Sequence, residues 1–542
     1  MEFTVKANLI DVVAKETYPA EITVLNNKIA SITRIEETLG SCILPGFIDS
    51  HVHIESSMLV PSEFARIAVK HGTVGTISDP HEIANVLGIP GVDYMIENAQ
   101  KVPFHFHFGA PSCVPATNFE TAGAVIDSGD IDKLLERKEI VYLAEMMNFP
   151  GVIYNDEEVL KKIASAKKHT KPIDGHAPGL MGEVMNTYFD AGITTDHECF
   201  GHTEALEKLK YGVKIMIREG SAAKNFDTLI PLLKDYPDQI MFCCDDKHPD
   251  NLIESHINDH VKRALKLDHN LYDVLRAASY NVVKHYNLPV GLLQIGDNAD
   301  FIEIDNTENF NILKTYINGR LVAENGKSFI QSVEAPIVNN FNCNLKHPSD
   351  FKIKSEGAKI RVIEALDGQL ITHEIQAEAL ITDGFAESNI KEDILKISVV
   401  NRYNNAPVAT AFIKNFGLKS GAIASCVAHD CHNIVVVGTN DEDICKAVNA
   451  VIKAKGGISL ATQTEELVLE LPIAGIMTDL PAEEVAELYI KLDRRAKELG
   501  SKLRAPYMSL SFMALLVIPE LKLSDKGLFN GKSFEFTDVF IN

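Results

Sequence analysis

Pro45-Gly46-Phe47-Ile48-Asp49-Ser50-His51-Val52-His53 is the stretch on which the architecture turns. A Pro-Gly break opens it, short apolar residues follow, and it closes on polar ones. Successive side chains of a strand point to opposite faces, so His51 and His53 share one face while Val52 takes the other. The same texture recurs at Gly72 to Asp79, Phe104 to Pro111, Ile140 to Glu145, Pro172 to His176, Gly192 to His197, Lys214 to Glu219 and Ile240 to Asp246. Amphipathic, charge-rich stretches separate these segments. A strand-helix-strand unit takes about 30 residues, and eight such segments in roughly 250 residues suit a closed (β/α)8 barrel of the TIM type. An open doubly wound sheet is the competing arrangement, and the regularity of the eight favours the barrel.

Outward from the barrel the pattern changes. Glu21 to Leu25, a turn at Asn26-Asn27, and Lys28 to Ile32 read as a hairpin. On the far side, a helical pattern from Leu271 to Tyr286 gives way to strand texture at Gly296 to Ile304 and Ile317 to Val322. These pieces predict a small β domain built from residues 1–44 plus 290–335, flanking a barrel over 45–289. Ile337 to Asp350, rich in Asn and Pro, reads as a linker. Residues 350–542 start a fresh alternation, with a strand at Ile434 to Gly438, a helix from Asp441 to Lys455 and a Gly456-Gly457 stop. They predict an extra C-terminal α/β domain.

The 542 residues are 46% hydrophobic and 23% charged, an ordinary globular mix that excludes a disordered chain or a fibre. Fifty-two Lys and Arg against 75 Asp and Glu leave a net charge of −23. So acidic a surface repels a phosphate backbone or an anionic membrane, which argues against nucleic acid or membrane as partner. The longest apolar run, Phe512 to Ile518, falls far short of the ~20 residues a membrane-spanning helix needs. The N-terminus carries charges where a secretory signal needs its apolar stretch. Nine cysteines without a C-x-x-C pair suit reduced thiols in the cytoplasm. A homodimer or higher homo-oligomer is expected of a large acidic barrel with an appended domain.

Barrels of this kind carry their active sites at the carboxyl ends of the strands. Here those ends hold His51, His53, Glu145, His176, His197 and Asp245-Asp246. Each is a residue type that ligates divalent cations. Four imidazoles and two carboxylates exceed the needs of one tetrahedral ion, whereas a pair of cations sharing a carboxylate uses them all. Glu145 ends an otherwise apolar strand and is the natural bridge, although a strand-end salt bridge is its plainer alternative. Of the two acids closing strand eight, Asp245 is the expected ligand and proton carrier, and Asp246 the alternative for the proton. His429-Asp430-Cys431-His432 in the last domain offers a further ligand pair, a lid over the mouth, or a solvated loop. Met146-Met147 reads as packing, and Asp79 before Pro80 as a turn cap.

The ordered set resembles the amidohydrolase superfamily. Its wording, at Pro45 to Ser57, Ser78-Asp79-Pro80-His81-Glu82, Asp174-Gly175-His176-Ala177-Pro178-Gly179, Thr195-Asp196-His197-Glu198, Arg218-Glu219-Gly220-Ser221, Asp245-Asp246-Lys247-His248-Pro249 and Ala428 to Asn433, is similar to the bacterial adenine deaminases. The likeness spans essentially the whole chain. It implies hydrolysis of adenine, a small purine base, to hypoxanthine and ammonia at a centre of two divalent ions. Manganese or iron is implied, with zinc as a further candidate. His51, His53, Glu145, His176, His197 and Asp245 carry over as ligands. Many superfamily members bridge their metals with a carboxylated lysine, and here Glu145 stands instead. Deamination needs a second proton donor beside Asp245, for which His81, Glu82 and Glu219 are candidates. Arg218, Glu219, Ser221 and Glu55 are candidates for holding the purine. The ligands alone leave open a hydrolase acting on another nucleobase or a cyclic amide, or a non-catalytic assembly protein on the same fold.

Overall fold

The computed structural model describes residues 2–37 and 39–541; Met1 and Asn542, the outer bounds of the first and last expected units, lie outside it. The eight segments form eight parallel strands, here labelled β1 (Phe47–Val52), β2 (Thr73–Ser78), β3 (His105–Ala110), β4 (Ile140–Met146), β5 (Ile173–Gly175), β6 (Thr195–Asp196), β7 (Lys214–Arg218) and β8 (Ile240–Cys243). β1 to β5 pair in sequence, and so do β6 to β8. Two seams of backbone hydrogen bonds close the ring. At one, Asp245 N–H donates to His51 O (2.9 Å) and His53 N–H to Asp245 O (3.4 Å). At the other, Thr194 N–H donates to Ile173 O (3.0 Å). That seam requires a glycine: a Cβ on Gly175 would stand 2.3 Å from Thr195 O. Every residue of β1, β2 and β8 is buried, the continuous burial of a sheet covered on both faces.

Helices follow the strands, from Pro61–Ala68 after β1 to Ile257–Lys266 after β8. The stretch Leu271 to Tyr286 is helical throughout, with its middle, Arg276–Tyr280, wound as a π-helix. An eight-stranded sheet flanks the barrel, and its strands come from both sides of it in sequence. Cys42–Pro45 lies between Glu2–Asp11, which it joins in parallel, and Phe301–Ile304, which it joins antiparallel. The hairpin turn at Asn26 and Asn27 has φ of 49° and 68°, the left-handed pair that matches the twist of the flanking strands.

Residues 331–347 contain no helix or strand, yet they are pinned: Asn339 Nδ2 donates to Lys455 O (2.6 Å) and Pro472 O (3.0 Å). The C-terminal part is β-rich. Its nine-stranded sheet is antiparallel except where Lys359–Ala365 runs parallel to Ala409–Lys414. Helices Asp441–Ala454 and Ala482–Glu498 pack on it. Among the described residues, no helix is long and apolar enough to cross a membrane.

Candidate active site

The strand ends converge. His51 Nε2 and His53 Nε2, on one face of β1, stand 3.1 Å apart. Asp245 Oδ1, beyond β8, lies 3.5 Å from the first and 3.2 Å from the second. Glu145, at the end of β4, sits between two pairs of imidazoles. Its Oε1 is 3.2 Å from His53 Nε2 and 3.8 Å from His51 Nε2; its Oε2 is 2.6 Å from His176 Nδ1 and 3.2 Å from His197 Nε2. All six side chains are buried.

This donor set fits divalent cations. Atoms about 2.1 Å from one tetrahedral ion stand roughly 3.4 Å apart, and the spacings here bracket that value. His51, His53 and Asp245 form one such group, and His51, Glu145 and His197 another. His51 Nδ1 and His176 Nε2 are buried without a hydrogen-bond partner. Burial alone would raise the Glu145 carboxyl, but His176 and His197 hold it well below its usual range. Burial is likewise outweighed at Asp245, chiefly by the Arg218 guanidinium.

The two acids after β8 part company. Asp245 faces the imidazoles, while Asp246 Oδ1 accepts from Ser56 Oγ (2.5 Å) and lies 3.6 Å from His429 Nε2. His81 stands beside the centre, its Nδ1 2.9 Å from Asp79 Oδ2 and 3.6 Å from Glu145 Oε1. Asp79 does cap the turn, accepting from His81 N–H at 3.1 Å. Glu82, next along, is buried against His429 and His432. Glu55 is buried nearby, accepts from Ile83 N–H (3.2 Å), and is pushed by burial to about 7.

Three expected substrate contacts already have protein partners. Arg218 grips Glu198 with both terminal nitrogens (Nη2 to Oε2, 2.8 Å) and Asp245 Oδ2 with Nη1 (2.6 Å), so its guanidinium is occupied by carboxylates. Glu219 is drawn away by Arg263 (2.6 Å) and by Phe226 N–H (3.3 Å). Ser221 Oγ accepts from His248 N–H (2.8 Å), which orders the loop after β8 rather than the centre.

Sequence reasoning gave no role to the aspartates that set the imidazoles. Asp49 Oδ1 accepts from His51 N–H (3.2 Å) and Cys244 N–H (3.0 Å), stapling β1 to β8, while Oδ2 lies 2.9 Å from His256 Nε2. Asp196 Oδ1 accepts from Ala177 N–H (3.1 Å) and Glu198 N–H (3.2 Å), beside His176 and His197, and Lys208 holds its Oδ2 at 2.7 Å. The signal was present: Asp49 and Asp196, like the turn-capping Asp79, precede a strand-end histidine by one or two positions. Glu198, 3.6 Å from His197 Nε2 and 3.8 Å from His176 Nδ1, was also without a role.

A barrel with this rim is the architecture of metal-dependent hydrolases, and the chain belongs to the amidohydrolase family, whose model matches residues 42–322. A second model, described as the adenine deaminase C-terminal domain, matches residues 369–535. An adenine deaminase of Sulfurovum sp. is 54% identical over 98% of this chain and 99% of its own length. One of Salinibacter ruber is 52% identical over 100% of this chain and 99% of its own. Within the amidohydrolases, then, the chain is a member of the adenine deaminase family. Among solved structures, a β-aspartyl dipeptidase of Fervidobacterium islandicum is 14% identical with a TM-score of 0.46, covering 60% of this chain and 98% of that one.

Proposed function

We propose that the chain hydrolyses adenine to hypoxanthine and ammonia, with His51, His53, Asp245, His176 and His197 holding two divalent ions and Glu145 shared between them. The observation that carries this is the Glu145 carboxylate, one oxygen turned to each pair of imidazoles. Such a cation pair, when bound, lowers the pKa of a coordinated water towards ~7 and so supplies a nucleophile at neutral pH. Manganese or iron is the proposed metal.

The residues of the chain then manage protons. Adenine C6 is electron-poor but aromatic, so addition there places charge on the ring, which a proton at N1 relieves. Asp245 faces the centre with Oδ1 while Arg218 fixes Oδ2. It is the group placed to take the proton released as the nucleophile adds, and to pass it to the departing amine. His81 and Glu82, just after β2, are the groups that handle the proton at N1, His81 as an imidazolium and Glu82 only by returning a proton it has first accepted. Glu55 is buried behind Ile83, and the half-buried Asp246 is held by Ser56 Oγ. A net charge of −23 disfavours nucleic acid as substrate.

We take residues 1–44 with 290–335, 45–289 and 350–542 as the three domains, a division supported by the shared flanking sheet. A cytoplasmic location is supported by the nine free cysteines. The test of function is ammonia release by metal-loaded protein from adenine, cytosine and guanine. Turnover of adenine alone is expected; an inert adenine beside a reactive pyrimidine would overturn the substrate.

A further inference from the structure

Glu82 begins the helix His81–Leu87 after β2, buried at the barrel mouth. Among the described residues, no barrel group donates a hydrogen bond to its carboxylate; the barrel imidazole beside it, His81, has Nε2 3.5 Å from Oε1. What the carboxylate meets comes from the C-terminal domain. His429 Nδ1 hydrogen-bonds Oε1, and His432 Nε2 stands 2.5 Å from Oε2 as an ion-pair approach outside hydrogen-bond geometry. Each oxygen thus faces one imidazole from a distant part of the chain.

The loop that presents these imidazoles is fixed from behind. His432 Nδ1 lies 3.2 Å from Ala428 N and 3.1 Å from Cys426 O, so the ring is gripped on its far side. Arg402, fully buried, donates to Ala474 O (2.7 Å), Asn339 Oδ1 (2.7 Å) and His432 O (3.4 Å). The Phe512 ring stacks on His429, centroids 4.8 Å apart and planes 11° from parallel. Tyr403 OH donates to Cys431 O at 2.6 Å, and Asn433 Nδ2 reaches the barrel loop at Thr121 O, 2.9 Å away. Such support makes sense for side chains whose orientation matters, and it exceeds what a solvated loop requires.

We propose that the C-terminal domain completes the active site, with His429 and His432 acting as positioning residues that hold the Glu82 carboxylate in the orientation from which it serves the purine. The inference rests on the adenine reading above. Without the two imidazoles the carboxylate has no fixed partner and turns freely in the mouth, and a group misplaced by about 1 Å loses of the order of a hundredfold in rate. The six ligand candidates lie on the barrel rim, so metal content is expected to be independent of the two imidazoles.

The test uses the full, metal-loaded chain with His432→Ala, His432→Gln, Glu82→Gln and the His432→Ala/Glu82→Gln pair. His432→Ala is expected to lower kcat by about a hundredfold, with KM and metal content as in the parent. His432→Gln, which keeps a donor at that position, is expected to recover part of the loss. In the Glu82→Gln background, His432→Ala is expected to cost nothing more, because the group it positions is already disabled. A full, independent loss in that background, or a loss of metal, overturns the inference. The contact is also read without substrate: hydrogen exchange of the amides of Ala428 to Asn433 is expected to quicken in Glu82→Gln, and unchanged exchange overturns it. Parent protein that releases no ammonia from adenine sinks the substrate instead, and the exchange measurement still decides the contact.

Discussion

Glu145→Gln removes a charge and almost no volume, and this isolates what the carboxylate does. In the native site the two oxygens lie 2.6 to 3.8 Å from four imidazole nitrogens, so a cation held by either histidine pair is within about one bond length of this carboxylate. Even with charge centres as far as about 4 Å apart, two unit charges interact by about 4 kcal/mol at an effective dielectric near 20, which is a lower figure for a coordinated ion. At ~1.36 kcal/mol per tenfold, neutralising Glu145 weakens each cation by about a thousandfold, before the doubled ionic charge is counted. The amide retains one acceptor oxygen, so a single ion can still bind. The measurements are elemental analysis after dialysis and calorimetric titration with Mn2+. The expected result is fewer than two ions per chain and no turnover, with an unchanged circular dichroism spectrum. Two ions bound at parent affinity would refute the shared carboxylate and the mechanism with it.

Lys208→Met leaves the buried Asp196 carboxylate without its counter-charge; breaking such a pair costs about 3–5 kcal/mol, and denaturant unfolding showing under 1 kcal/mol lost contradicts the role given to it. Asp49→Asn weakens the staple between β1 and β8 and is expected to destabilise by about 1.5–3 kcal/mol while lowering metal content, both measured on one preparation. Glu120 supplies a pH test. Burial, reinforced by Asp430, raises its carboxyl from 4.5 to about 8. The folded chain therefore holds a proton that the unfolded chain has released, so this contribution is full below pH 4.5 and is lost as pH rises towards 8. Glu120→Gln is expected to gain on the parent by about 1 kcal/mol per pH unit in that window, and parallel stability curves speak against it.

The barrel was legible because parallel strands covered on both faces read as apolar runs, and because each run ends in chemistry. Even β5 and β6, three and two residues long, announced themselves through His176 and His197. The six ligand candidates followed from the same punctuation. What stayed hidden depends on pairing across the sheet or between domains. Arg218 and Glu219 read as polar strand ends, and only the fold brings Glu198 to the first and Arg263 to the second. Lys208 lies on a helix that looks like any solvated face until β6 places Asp196 beneath it. The apolar run from Phe512, unremarkable in sequence, begins with a ring laid on His429. In the C-terminal part, strands separated by helices suggested alternation, whereas most neighbours in its sheet run antiparallel, a property set by long-range register.

The flanking sheet imposes an order of events on synthesis. Cys42–Pro45 acquires its second neighbour, Phe301–Ile304, only after all eight barrel strands have left the ribosome. Until then one side of that short strand offers bare backbone amides and carbonyls, a template on which another nascent chain can dock. Shortening the chain at residue 300 would leave that edge open for good.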